Sequence, residues 1–288
     1  AVLVLDENRL LVEGLAAAGL SGVSEAAVLP EYLGPPGSAA IYEGLFDLAR
    51  TAAANGVSLV VGVGPSTDVP AALDAVQRLR DDDYDVGITL PAAHRRTESD
   101  CARMAGHRVR LVKGGRRGEA AVSFGQPLEI DKAFVRCAKV LLRGSGEPSF
   151  ATHDPRLIKI LESLADRMER PSQTYEYAMF MGRAEGEQER LLAQGERVRV
   201  YVPYGPDWFE RLMGGLAEQP STITAATCIA VGNVSLEDWP LLTSSLGCTR
   251  RFSPRTPPSS SEARLASTSL TFMLVWVPEP VCQTTSGK

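Results

Sequence analysis

The sequence predicts an α/β fold in which strands and helices alternate and the strands close into a barrel. Helix-spaced apolar positions and short apolar runs follow one another from residue 7 to residue 217, with short connections between them. The predicted strands are apolar enough to be covered on both faces, which is typical of a parallel sheet. So many repeats favour a closed (βα)8 barrel of the TIM type over an open sheet.

Two helix–strand steps open the chain. Apolar residues at helical spacing predict a first helix that Gly19 ends, and Ser38 is a typical N-cap for a second. An apolar run after each helix predicts a strand. The predicted helices are 7–18 and 38–55, and the predicted strands are 26–29 and 57–63.

The same unit then recurs as far as residue 202, and a last helix follows it. The predicted helices are 69–79, a short one from 98, 131–142, 155–168, 185–193 and 207–217. The predicted strands are 86–90, 109–112, 149–152, 174–180 and 198–202.

The strand count falls one short of a closed barrel, which needs eight. We expect the barrel to lack its first strand, which would precede the first helix, at or before the apolar run 1–5. Beyond Pro220 Ser and Thr become frequent, and 271–277 is an apolar run without a helical stripe. We therefore predict a barrel domain over 1–220 and a tail of unknown structure over 221–288, which is disordered, a small module or unrelated to the barrel.

Composition limits the classes of function. A net charge of -5 over 288 residues argues against a nucleic-acid binder and allows at most peripheral contact with a membrane. The five cysteines form no C-x-x-C pair, so neither a disulfide framework nor a zinc site is indicated. The chain opens without the pattern of a signal peptide, and a reducing cytoplasm is the expected location.

One strand leads into a basic, glycine-containing turn. The strand at 109–112 delivers Lys113 and the backbone of Gly114 and Gly115 to one end of the sheet, with Arg117 close behind. Bare backbone N–H groups and cations are typical of an anion site. A strand that ends in a solvated basic turn explains the same residues.

Polar side chains also end the neighbouring strands, where barrel enzymes carry their working residues. Thr152 and His153 end one strand, and Tyr201 lies on the last. His153 fits a general base, a cofactor contact or the entry to the helix that Asp154 caps. Glu176, inside an aromatic strand, must be paired with a cation if it is buried, or else faces outward.

Several motifs stand in a fixed order and spacing. They are Arg110-Leu-Val-Lys-Gly114, Glu129-Ile-Asp-Lys132, Ala151-Thr-His-Asp-Pro-Arg156, Tyr175-Glu-Tyr177, Arg199-Val-Tyr-Val-Pro-Tyr-Gly205, Trp208 and Leu216-Ala-Glu218. Together they resemble the flavin-dependent proline dehydrogenases over about 106–220, and more weakly back to residue 10. The resemblance implies a (βα)8 barrel that holds FAD, oxidises L-proline or a related imino acid to pyrroline-5-carboxylate by hydride transfer, and is reoxidised by a quinone.

The resemblance also implies roles for individual residues. Arg110 is similar to the catalytic arginine of the family, beside the flavin ring. The positions similar to cofactor contacts are Lys113, Gly114, Gly115, Arg117, Thr152, His153 and Glu218. Tyr201 matches a tyrosine of the substrate pocket, and Arg211 stands where a second pocket tyrosine is expected.

The sequence departs from the family at several positions. Gly214 and Gly215 stand where the family has two arginines that bind the substrate carboxylate. Leu29 stands where the family has a lysine, and Val60 stands where it has an acid. Pro91 and Ala178 stand where the family has two glutamines. Each charge-assisted hydrogen bond to a carboxylate is worth roughly 1.5–3 kcal/mol, so the loss of both arginines weakens binding of the substrate carboxylate. The departures therefore favour a second interpretation. In that reading the chain is a catalytically silent barrel that serves as a binding or structural module.

Overall fold

A computed structural model describes residues 2–64, 67–114, 121–181, 183–204 and 270–276. Within these residues eight parallel strands form a closed barrel in chain order, with the last strand paired to the first. The α/β barrel predicted from the sequence is confirmed.

The strands agree with the predicted ones, with one addition. They are Ser24–Val28 (β1), Ser58–Val61 (β2), Val86–Pro91 (β3), Val109–Val112 (β4), Pro148–Ala151 (β5), Glu176–Phe180 (β6), Val198–Tyr204 (β7) and Leu270–Trp276 (β8). The first seven lie at the predicted places, and β8 is the addition.

Seven α-helices connect or precede these strands in the described part of the chain. They are Val2–Ala17 (α1), Ala39–Ala54 (α2), Val69–Asp81 (α3), Thr97–Arg103 (α4), Pro127–Arg143 (α5), Pro155–Arg167 (α6) and Glu185–Ala193 (α7). Gly19 follows α1 with a φ of 73°, a left-handed backbone that glycine adopts without strain. The predicted helix 207–217 lies outside the described residues.

The barrel is closed by a segment that the sequence analysis did not place. β8 runs parallel to β7 on one side and to β1 on the other, in register from Val198 with Leu270 and from Ser24 with Phe272. Residues 2–5 of the opening apolar run belong to α1 and form no strand, and β8 takes the place beside β1. Part of the predicted tail therefore belongs to the barrel. The domain boundary at residue 220 lies outside the described residues and stays a prediction.

Alternate side chains of each strand serve two different layers. Ala26, Leu59 and Ile88 belong to the large core between the sheet and the helices, together with Leu111 and Phe150. The side chains next to them along each strand point the opposite way, into the barrel interior. Ala27 and Val60 form a separate apolar cluster, which marks that interior.

The described cysteines and helices carry two further features. Cys101 and Cys137 are buried and free, and the other three cysteines lie outside the described residues. None of the helices in the described ranges combines the length and the apolar character that crossing a bilayer requires.

The closing strand provides a test of the fold. Leu274→Pro removes a backbone donor from a strand that is paired on both sides, so we expect the melting temperature to fall by roughly 10 °C. Thermal unfolding followed by circular dichroism measures it. Ala39→Pro is the matched control, because proline is tolerated at the first position of a helix. A melting temperature unchanged by Leu274→Pro would contradict the closure by β8.

Candidate active site

Two ion pairs occupy the lower half of the barrel interior, near the amino ends of the strands. Arg110 of β4 donates a hydrogen bond to Glu25 of β1, across the barrel. Arg199 of β7 binds Glu176 of β6 with both arms, Nε to Oε1 at 2.6 Å and Nη2 to Oε2 at 2.9 Å. All four side chains are at most 7% exposed. Glu176 is thus paired with a buried cation, one of the two alternatives that its sequence context allowed.

The pairing sets the charge states of Glu176 and Arg199. Burial alone would raise the pKa of Glu176, but the Arg199 guanidinium outweighs burial and holds that pKa at about 2. Burial would lower the pKa of Arg199, and Glu176 and Glu25 instead raise it. Both groups are therefore charged at neutral pH. Removing either one would leave the other buried without its closest partner, at a cost of about 3–5 kcal/mol.

The lower pairs continue into a charged rim at the amino ends of the strands. Arg108 lies 3.8 Å from Glu25 and 3.2 Å from Asp85. Arg197 lies 3.7 Å from Glu176. Glu147 lies 3.5 Å from Arg108 and joins the two branches through Arg197. Carboxylates and guanidiniums alternate from the rim to the interior, which compensates every charge in the network.

Above the ion pairs the inward side chains are small. Ala178 is the next inward residue after Glu176 on β6, and Ala151 is paired with it on β5. Ala27 follows Glu25 on β1, and Val60 is paired with Ala27 on β2. The upper interior therefore has small side chains on several strands, and those of Ala27, Val60 and Ala178 are almost fully buried.

A row of three rings lies along the upper interior. His153, just after β5, is stacked on Phe180 of β6 with 5.5 Å between ring centroids. Phe180 packs edge-on against Tyr201 of β7 at 4.6 Å. Tyr201 in turn packs against Ala27 and Val60. The structure thus places His153 and Tyr201, both predicted site residues, on one inner wall.

His153 is held as a neutral ring. Its Nε2 accepts a hydrogen bond of 2.9 Å from the backbone N–H of Phe180, which places the proton of the neutral ring on Nδ1. Burial, and next the charge of Arg183, lowers the pKa of His153 to about 4. At neutral pH the ring is a fixed acceptor and leaves Nδ1–H as a donor.

Lys113 and Thr152 are linked to the start of α6. The Lys113 Nζ lies 2.7 Å from Asp131 and 3.2 Å from Asp154. The Thr152 hydroxyl accepts a hydrogen bond from the Asp154 N–H, and Asp154 caps α6 by accepting from the Arg156 N–H. Hydrogen bonds from Arg156, followed by Lys113, lower the pKa of Asp154 well below its usual range. Gly114 follows with open space where a Cβ would lie, as far as the described residues show.

The remaining predicted site residues cannot be placed. Arg110, Lys113, Gly114, Thr152, His153 and Tyr201 lie in or just after the strands of the barrel. Six other positions to which the resemblance gives a role or a departure lie outside the described residues, namely Gly115, Arg117, Arg211, Gly214, Gly215 and Glu218. Their roles stay predictions.

Two residues that matter to the site were missed in the sequence. Glu25 stands in the run Ser-Glu-Ala-Ala-Val, where a lone acid in a buried strand signals a paired charge in the same way as Glu176 does. Phe180 links His153 to Tyr201, but nothing in the sequence distinguishes it from an ordinary core aromatic.

A cavity of about 400 Å³ lies elsewhere, between the starts of α2 and α3. Its described lining includes Glu31, Asp68 and Asp74, and none of the predicted site residues. Arg78, the cation of this wall, is stacked over Tyr42 at 3.9 Å. Acidic walls repel phosphates, so this cavity does not suit a dinucleotide.

Comparison of the sequence with known proteins gives one family. The family model described as proline dehydrogenase matches residues 16–213. Proline dehydrogenase 2 of Bacillus subtilis is 28% identical over 188 residues, which is 65% of this chain and 62% of that protein. Proline dehydrogenase 1 of Bacillus subtilis subsp. natto is 37% identical over 113 residues, which is 39% of this chain and 37% of that protein.

Solved structures support the fold. A bifunctional proline utilization A protein superimposes with a TM-score of 0.59 and 20% identity, over 68% of this chain and 24% of that one. A mutant of proline utilization A from Bradyrhizobium japonicum gives a TM-score of 0.61 and 19% identity, over 88% of this chain and 30% of that one. The chain thus spans less than two thirds of the curated relatives named here and under a third of these structures.

The lowered pKa of His153 makes the stability of the fold depend on pH. Above pH 6.5 the ring is neutral in the folded and the unfolded chain; between pH 6.5 and about 4 only the unfolded chain takes up the proton. Stability should therefore fall as pH is lowered through this window, by on the order of 2 kcal/mol because the ring is partly exposed.

Urea unfolding from pH 7.5 to pH 4 measures this slope in the wild type and in His153→Gln. The variant should lose the part of the slope that His153 contributes. Burial also lowers the pKa values of His94 and His107, but both remain in the two proteins, so the difference isolates His153. Equal slopes would show that His153 titrates normally in the folded chain.

Proposed function

The chain belongs to the proline dehydrogenase family, and from that premise we propose that it oxidises L-proline, or a related imino acid, to pyrroline-5-carboxylate with FAD as its cofactor. The observation that carries the proposal is the common inner face shared by Arg110 and the row His153, Phe180 and Tyr201. A cation below and an aromatic wall beside small side chains suit a flat ring that gains negative charge.

The residues present fit a flavin. Ala27, Ala151 and Ala178 give the upper interior short side chains. Arg110 lies in the layer below them. Gly114 offers open space and backbone at the end of β4, where a large cofactor can approach closely. Lys113, Gly114, Thr152 and His153 would hold the cofactor, and Nδ1–H of His153 is available as a donor.

The reaction requires that two electrons and two hydrogens leave the substrate. When bound, FAD supplies a two-electron acceptor for the hydride that leaves C5 of proline. The nitrogen of proline gives up a proton, and the C5–N bond becomes double. Arg110 would place positive charge where negative charge accumulates, a role that is typically worth 10²–10³-fold in rate for a single preorganised donor.

Tyr201 would form the wall of the substrate pocket. Its ring packs on Ala27 and Val60, so together they give an apolar surface that suits the methylene groups of a pyrrolidine. Arg211 would bind the substrate carboxylate in place of the arginines that fall at Gly214 and Gly215. A quinone would reoxidise the cofactor, and the cytoplasm stays the expected location.

A second function is favoured by a specific observation. The Lys113 ammonium is held between Asp131 and Asp154, which neutralise the charge expected to face a cofactor. Val60, Pro91 and Ala178 stand where the family has polar groups. A barrel with these residues would serve as a silent binding or structural module.

The visible spectrum of the purified chain separates the two functions. For the enzyme we expect flavin absorbance that bleaches when L-proline is added without oxygen. Bound flavin that proline does not bleach would contradict proline oxidation and favour a silent barrel or another substrate. A chain that takes up no FAD when the cofactor is supplied would overturn the cofactor proposal itself.

Arg110→Lys tests the role of the guanidinium in the same assay. Lysine keeps the charge opposite Glu25, so the barrel should fold, but it lacks the planar fork of arginine. We expect flavin reduction to slow by about 10²-fold. Arg136→Gln, which removes an exposed pair with Glu98, is the control and should react as the wild type. Equal rates in the two variants would refute the role of Arg110.

A further inference from the structure

Arg110 is held by a residue on the far side of the barrel. Glu25 lies on β1, and β2 and β3 stand between it and β4 in the sheet. The hydrogen bond from Arg110 to Glu25 therefore crosses the interior, with both side chains at most 4% exposed. A contact of this kind fixes where the guanidinium lies inside the barrel, since a charge cannot move away from its buried partner without losing several kcal/mol.

The strands between them offer no competing charge. The inward residues of β2 and β3 at this depth are Ser58, Val60, Gly87 and Thr89, which follow from the register with Glu25, Ala27 and Arg110. None of them ionises in the physiological range.

The other buried carboxylate of this layer, Glu176, is bound by both arms of Arg199. Glu25 is thus the carboxylate of this layer that accepts a hydrogen bond from Arg110, while Glu176 attracts Arg110 by its charge.

Glu25 is itself fixed from below. Its second oxygen, Oε2, lies 3.8 Å from Arg108 and 4.0 Å from Arg199. These two cations hold the carboxylate in the interior while Oε1 accepts from Arg110. The orientation of Arg110 is consequently set by a network that begins at the rim of the barrel.

We propose that Glu25 is a positioning residue for hydride transfer, which acts by holding the Arg110 guanidinium beneath the upper interior. The inference rests on the proposed flavin chemistry of the same site. It assigns to Glu25 no contact with substrate or cofactor. Loss of Glu25 should therefore affect the chemical step more than the binding of proline.

The first measurement uses the protein without flavin. A double-mutant cycle of Glu25→Gln, Arg110→Gln and the double variant, followed by urea unfolding, measures the coupling between the two side chains. The double variant should be more stable than the sum of the single effects predicts, because it leaves neither charge alone. Additive effects would overturn the proposal, since Arg110 would then not depend on Glu25.

The second measurement uses the flavin-loaded protein. In Glu25→Gln we expect kcat for flavin reduction by proline to fall about tenfold or more while KM stays within about threefold. Glu25→Asp, which keeps the charge on a shorter arm, should recover part of the rate. Asp100→Asn is the matched control: it breaks the pair of the buried Asp100 carboxylate of α4 with Arg96, outside the barrel interior, so it should lower stability without this loss of kcat.

The outcomes separate this inference from the function it rests on. A wild type that binds and reduces flavin, with Glu25→Gln reacting at the same rate, overturns the role of Glu25 alone. If Glu25→Gln does not fold, Glu25→Asp decides, because an unchanged kcat in that folded variant also contradicts the positioning role. A wild type without flavin overturns the proposed function and the positioning role together, while the cycle still shows whether the pair exists.

Discussion

The structure depends on the compensation of buried charge in the lower half of the barrel. Two carboxylates and two guanidiniums from β1, β4, β6 and β7 lie there almost without solvent. Each would cost several kcal/mol if it were left alone, so the four strands must keep the register that brings them together. A slip of one residue in any of them would turn its charge toward the apolar core beneath the helices.

This constraint gives the two halves of the interior different uses. The lower half is filled by the ion pairs and continues into the charged rim of Arg108, Glu147 and Arg197. The upper half, at the carboxyl ends of the strands, combines small side chains with the aromatic row that ends at Tyr201. Barrel enzymes carry their chemistry at this end, and here the cation of Arg110 approaches it from below.

Much of the fold could be predicted from the sequence, because each helix–strand step has its own periodicity, although Ser38 stands at the N-cap of α2 without a capping hydrogen bond from its side chain. Asp154 does form the cap that its place before Pro155 predicts. β8 could not be placed in advance: an apolar run without a helical stripe fits a strand, but its partners lie far back in the chain. The row of three rings could not be predicted for a similar reason. The stacking of His153 on Phe180 depends on the alignment of two strands and on no local motif.

The proposed function places the flavin ring in the upper interior above Arg110. The direct test is the affinity of FAD for Ala178→Leu, which places a larger side chain in the upper interior, compared with Ala138→Leu, which overpacks the core under α5. We predict that Ala178→Leu weakens FAD binding at least about tenfold, or about 1.4 kcal/mol, while Ala138→Leu binds as the wild type does. Equal FAD affinity in the wild type and in Ala178→Leu would contradict the claim.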